Sequence, residues 1–159
     1  MKTNWKTGVA ALATFATLTP MSSALADQFY YNASNGAGAV TFVDRAGNVT
    51  TTVSYAPGTF STGWTQVVNT PQGIFFYNAS NGAGAVGVLD RAGNLTTIKI
   101  YDPGFFSTGW TQVVNTPQGI SFYNANTGAG AVGVLDRAGN FTNISSGTFS
   151  TGWTSIVDN

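Results

Sequence analysis

No cysteine and no histidine occur anywhere in the 159 residues, and the six acidic residues are all aspartate. Without cysteine there is no disulfide, no thiolate metal site and no thiol nucleophile. Without histidine the chain lacks the commonest general base and the commonest transition-metal ligand. Charge is scarce too. Six cations balance six anions, and charged residues make up 8 % of the chain. A nucleic-acid binder needs a basic face, so that class is excluded. What is abundant is glycine, at 20 residues, and aromatics, at 11 Phe, 6 Tyr and 4 Trp. An apolar content of 43 % supports a core, and the length allows one domain.

The first 26 residues read as a secretory leader. Lys2 and Lys6 form a positive start, Gly8 to Leu18 an apolar run, and Ala24-Leu25-Ala26 a small-residue cleavage site. The run is too short to span a bilayer. Cleavage before Asp27 is expected to release a protein of residues 27–159 to the periplasm or the extracellular space. No membrane span is expected in it.

The remaining chain is one unit written three times: 29–74, 75–120 and 121–159. Asn32, Asn78 and Asn124 recur every 46 residues, as do Trp64 and Trp110. Trp153 follows Trp110 by 43, so the third copy lacks three residues before it. Copies one and two are identical at 36 of 46 positions. Such a period points to stacked or radial units.

Each unit reads as four short strands. In the second copy, 74–78 and 83–89 are nearly unbroken apolar runs, the pattern of strands buried on both faces. Residues 95–101 alternate in part and carry Lys99, which marks an outer or edge strand. Residues 109–115 supply the remaining strand. Helix is disfavoured by glycine, by β-branched residues and by the lack of any 3.6-residue stripe. Asn81-Gly82 predicts a type I′ hairpin. Asp90-Arg91-Ala92-Gly93-Asn94 predicts a type I turn capped by the aspartate, with Gly93 left-handed. Thr116-Pro117-Gln118-Gly119 predicts a third tight turn. Together these make a four-stranded antiparallel meander, with 102–107 leading to the next.

The predicted class is therefore all-β, with three tandem meanders. Meanders of this length are blades of a β-propeller, which has four to eight of them. Three blades make half a ring, with apolar end faces and free strand edges that a second chain could cover. A homodimer closing a six-bladed ring is the expected assembly. The alternative is a β-trefoil, a closed threefold structure that needs no partner.

Gly109-Trp110, Pro117-Gln118-Gly119, Phe76-Tyr77 and Gly87-Val88-Leu89 recur in an order that resembles the short blades of tachylectin-like propellers. That resemblance covers residues 27–159 and implies a secreted lectin whose pockets repeat around a ring. The family has five blades where this chain has three units. Neither a particular sugar nor a particular binding residue is carried over.

Three repeated features could bind a ligand. Trp64, Trp110 and Trp153 offer an apolar platform for a sugar ring, or else pack the blades. Asp44-Arg45, Asp90-Arg91 and Asp136-Arg137 could bond hydroxyls in a bidentate manner, or else serve as the capped turn. Asn32, Asn78 and Asn124 could donate and accept at loop ends, or else shape the hairpins. The Asn-Ala-Ser-Asn-Gly-Ala-Gly stretch has no GK[ST] after it and is no phosphate loop. One aspartate per unit, followed by arginine, is a poor start for a calcium site or for a two-carboxylate hydrolase. The expected function is non-enzymatic carbohydrate binding at several weak equivalent sites, with no cofactor and no metal. The competing expectation is a structural or adhesive repeat protein without a small ligand.

Overall fold

β-Branched and aromatic stretches alternate with glycine- and asparagine-rich bends. In the computed structural model, which describes residues 27–157, they form eleven strands. The expected leader, 1–26, lies outside the described residues. Helices are absent among the described residues.

The strands make three separate antiparallel sheets. The first holds β1 (Asp27–Tyr31), β2 (Gly38–Val43) and β3 (Val49–Tyr55). The second runs β4 (Gln66–Thr70), β5 (Gly73–Tyr77), β6 (Gly84–Leu89) and β7 (Leu95–Tyr101). The third runs β8 (Gln112–Thr116), β9 (Gly119–Tyr123), β10 (Ala129–Leu135) and β11 (Phe141–Thr148). Each is a meander in chain order. The sheets straddle the sequence repeats, because β4 comes from the end of the first repeat and opens the second sheet.

Two expectations need correction. The first sheet has three strands, not four, since no counterpart of Gln66–Thr70 precedes β1 among the described residues. The closed β-trefoil does not form either: the strands divide into three open sheets. The second and third sheets meet through β4 and β8.

The core lies mainly between the second and third sheets. Phe75, Tyr77, Val86, Tyr101 and Phe106 meet Val113, Ile120, Phe122 and Leu135 there. β5 is buried on both faces, as its unbroken apolar run predicts. β7, with Lys99, is a sheet edge. Each third-strand pairing slips once, at Val40/Thr41, Val86/Gly87 and Val132/Gly133. Such a bulge bends the strand. At Gly133 it leaves room for the Phe141 ring, whose Cζ would stand 2.0 Å from an added Cβ. The first sheet has Thr41 at this position, and its buried Oγ1 has no hydrogen-bond partner.

The predicted aspartate turn is present. Asp90 Oδ1 accepts from the N–H groups of Ala92 (2.8 Å) and Asn94 (2.9 Å), and Gly93 has φ +85°. The type I′ hairpin at Asn81-Gly82 is not, because it would need positive φ at Asn81 and among the described residues no non-glycine residue has one. The loop is wider. Gly82, at φ +71°, donates to the Asn78 carbonyl (2.9 Å), and Asn78 donates to the Ala83 carbonyl (3.0 Å).

Candidate ligand-binding site at the sheet junctions

The chain leaves each sheet through a connection that carries the repeated tryptophan, and the asparagine loop of that sheet straps the connection down. Gly104 donates to the Asn81 carbonyl (2.7 Å), Phe106 to that of Gly82 (3.0 Å) and Gly109 to that of Ala79 (2.8 Å). The first sheet repeats this with Gly58 on Asn35, Phe60 on Gly36 and Gly63 on Ala33. A tyrosine from the second strand position adds a further tie. The Tyr77 hydroxyl donates to the Ser107 carbonyl (2.8 Å) and accepts from the Trp110 N–H (3.3 Å). These bonds fix the tryptophan where one sheet ends and the next begins.

Trp64 and Trp110 are half-buried there. Each lies against a phenylalanine of the following sheet, Trp64 on Phe76 at 6.0 Å and Trp110 on Phe122 at 5.8 Å between ring centroids. Beside each pair is an open cavity, about 290 Å³ at the first junction and about 260 Å³ at the second. The walls correspond residue for residue at the repeat spacing. Phe60, Ser61, Trp64, Phe76, Ala85, Leu95 and Thr97 line the first; Phe106, Ser107, Trp110, Phe122, Ala131, Phe141 and Asn143 line the second. The first cavity also has Asp102 and Tyr101 at its wall. Each is an apolar cup with hydroxyl, amide or carboxylate groups on its lining. It can hold one flat-faced polar ring and bond its substituents.

The other sequence candidates lie elsewhere. Asn32, Asn78 and Asn124 shape the loops, their Oδ1 atoms accepting from the N–H groups of Ser34 (3.0 Å), Ser80 (2.9 Å) and Asn126 (2.9 Å). Asp44, Asp90 and Asp136 are spent on their own turns. The amide of Asn48, Asn94 or Asn140, donating to the second carboxylate oxygen, holds each carboxyl below the usual carboxylate range. Arg45, Arg91 and Arg137 are exposed beside them. None of these six residues lines either junction cavity. The Asp-Arg turn has a junction role of a different kind. Tyr55 donates to the Gly93 carbonyl (2.9 Å) and accepts from the Leu95 N–H (2.7 Å), and Tyr101 donates to the Gly139 carbonyl. The outer strand of one sheet thus clamps the turn of the next.

Sequence reasoning missed the phenylalanines at 60, 76, 106 and 122 as cavity walls. Their signal was present: all four keep the 46-residue spacing of the tryptophans. Trp153, the third tryptophan, is 59 % exposed, and no sheet follows it among the described residues. Among the described residues no three acidic groups gather as a metal cluster would require. No protein-family model and no curated protein matches the chain.

Proposed function

We propose that the protein is a secreted, non-enzymatic carbohydrate-binding protein whose sites are the sheet junctions. The observation that carries this reading is the pair of equivalent cavities, each walled by a half-buried tryptophan and bordered by hydroxyl groups. A sugar ring presents an apolar C–H face and a rim of hydroxyls. The Trp64 or Trp110 ring would take the face. Ser61 and Thr97, or Ser107 and Asn143, would bond the rim. Volumes of about 290 and 260 Å³, at the lower bound for small-molecule sites, suit one sugar ring each. Single sites of this kind are weak, and repetition raises affinity for a multivalent glycan through effective concentration. Asp102 stands at the first cavity alone, so the two sites would differ in hydroxyl preference.

The adhesive alternative draws on the outer strand β11, of which seven of eight positions are exposed, and on the free edge of β1. Titration of purified protein against a glycan array, read by tryptophan fluorescence, separates the two. A saturable shift with mono- or disaccharides supports the lectin reading. No shift with any sugar, together with growth of thioflavin-positive fibres, supports the adhesive one.

A further inference from the structure

The two sheet junctions share one device, a ring of the later sheet set among rings of the earlier one. At the second junction the Phe122 ring contacts Phe75 (6.0 Å), Tyr77 (6.1 Å), Phe106 (5.9 Å) and Trp110 (5.8 Å). At the first, Phe76 contacts Phe29 (5.8 Å), Tyr31 (6.2 Å) and Trp64 (6.0 Å). Shifting the second set by one repeat gives Ser121, Tyr123, Phe149 and Trp153. These four residues line one cavity of about 430 Å³ on the open flank of the third sheet. Shifting the ring Phe122 back by two repeats gives Tyr30, which is 51 % exposed on the first sheet. The chain therefore carries a socket at one end and the matching ring at the other.

The backbone repeats the same relation. Gln66 Nε2 donates to the Thr111 carbonyl (3.2 Å), at the start of the next sheet's first strand. Gln112 Nε2 donates to the Thr154 carbonyl (2.9 Å), although the residues after Thr154 belong to no sheet. Residues 154–157 are thus held where the first strand of a following sheet would run. Meanwhile β1 is an edge, whereas its counterparts β5 and β9 are flanked by β4 and β8. Ile156 is partly exposed and Val157 is 85 % exposed.

We propose that a second copy of this chain completes both ends. Residues 155–157 of one copy add to the β1 edge of the other, and Tyr30 of that copy enters the socket of Tyr123, Phe149 and Trp153. The register follows from β4 on β5, where Val67 faces Phe76: Ile156 faces Tyr30 and Val157 faces Phe29. The contact is head-to-tail, so it closes only as a ring. Two copies bring six sheets, a number within the four to eight that close a propeller. The new junction is held at its inner end alone, because the three-residue deletion leaves β11 without a counterpart of Tyr55 and Tyr101. This assembly is independent of what the cavities bind.

The test is solution mass combined with a directed crosslink. Light scattering at micromolar concentration should give the mass of two copies. Val157→Pro removes the N–H that this register aims at the Phe29 carbonyl, since its counterpart pair Val68 and Phe75 lies two residues from the Thr70–Gly73 hairpin end and is hydrogen-bonded. The segment is outside every sheet of the isolated chain, and Tyr30→Asp puts a charge on the entering ring. Both should give one-copy mass with an unchanged circular dichroism spectrum. Opposed residues of antiparallel strands stand about 4.5–5.5 Å apart at Cα, within disulfide range. The Tyr30→Cys, Ile156→Cys double variant, in a chain with no other cysteine, should oxidise to a dimer on a non-reducing gel. A one-copy mass for the unaltered protein overturns the proposal. So does a two-copy mass that neither variant disturbs, an open ladder of larger species, or a disulfide confined to one chain.

Discussion

The backbone N–H of Trp110, in the connection that leaves the second sheet, donates to the hydroxyl of Tyr77 in β5, 3.3 Å away. That hydroxyl also donates to the Ser107 carbonyl, so one buried phenol holds both sides of the bend that aims the indole. Tyr123 repeats the arrangement with Trp153 (3.3 Å) and Ser150 (2.7 Å). The tryptophan is therefore positioned through its backbone, which leaves the ring free to serve a cavity.

Tyr77→Phe should lower stability by about 1–3 kcal/mol, because it strands the Ser107 carbonyl and the Trp110 N–H. Burial pushes the Tyr77 hydroxyl above its ordinary value. A group raised in the folded state lends stability that is present below the unfolded value, about pH 10, and is lost as pH rises through the folded one. Thermal melts between pH 8 and 11.5 should show a steeper alkaline loss for the unaltered protein than for the phenylalanine variant. Parallel curves would refute the assignment.

The aspartate turns act at the other end of the pH scale. The Asn94 amide bonded to Asp90 lowers its carboxyl, and Asp44 and Asp136 follow suit. A group lowered in the folded state gives stability that is present above the unfolded value, about pH 4, and is lost as pH falls through the folded one. Melting temperature should thus drop below about pH 4, and Asp90→Asn should flatten that drop. Acid titration followed by circular dichroism measures both.

Two left-handed glycines, Gly82 in the β5–β6 loop and Gly104 in the connection after β7, should respond very differently to alanine. A Cβ on Gly82 (φ +71°) would lie 2.0 Å from the Phe106 carbonyl oxygen, where the asparagine loop grips the exit connection. A Cβ on Gly104 (φ +85°) meets nothing within 4 Å. Gly104→Ala should cost about 1 kcal/mol for the backbone conformation alone. Gly82→Ala should cost at least about twice that, or displace the connection and disturb Trp110 fluorescence. Denaturant midpoints rank the two.

Sugar binding offers the sharpest contrast between the candidate residues. Trp64→Ala and Trp110→Ala should each abolish one class of site, and the double variant should lose at least tenfold in apparent affinity for a multivalent glycan. Arg91→Ala should leave binding unchanged, since the Asp-Arg turn is outside both cavities. Isothermal titration with the best sugar from the array reads both, and loss of binding in Arg91→Ala with retention in the tryptophan double variant would reverse the assignment.

Local chemistry is what the sequence determined. Strand identity follows from apolar runs such as Ile74–Tyr77, the aspartate turn from Asp90 and Gly93, and the edge position of β7 from Lys99, because each depends on neighbours a few residues away. The 46-residue period shows three related units directly, because repetition is a property of the residue order itself. The tertiary structure alone decided where those units divide and what their junctions hold. The strand opening a sheet belongs in sequence to the preceding repeat, and hydrogen-bond pairing, not sequence likeness, sets the boundary. The cavity walls come from residues such as Phe60 and Leu95, 35 positions apart, which only packing of one sheet against the next brings together. The missing first-sheet partner of β1 is likewise invisible in any single unit, since an edge is a property of what lies beside a strand.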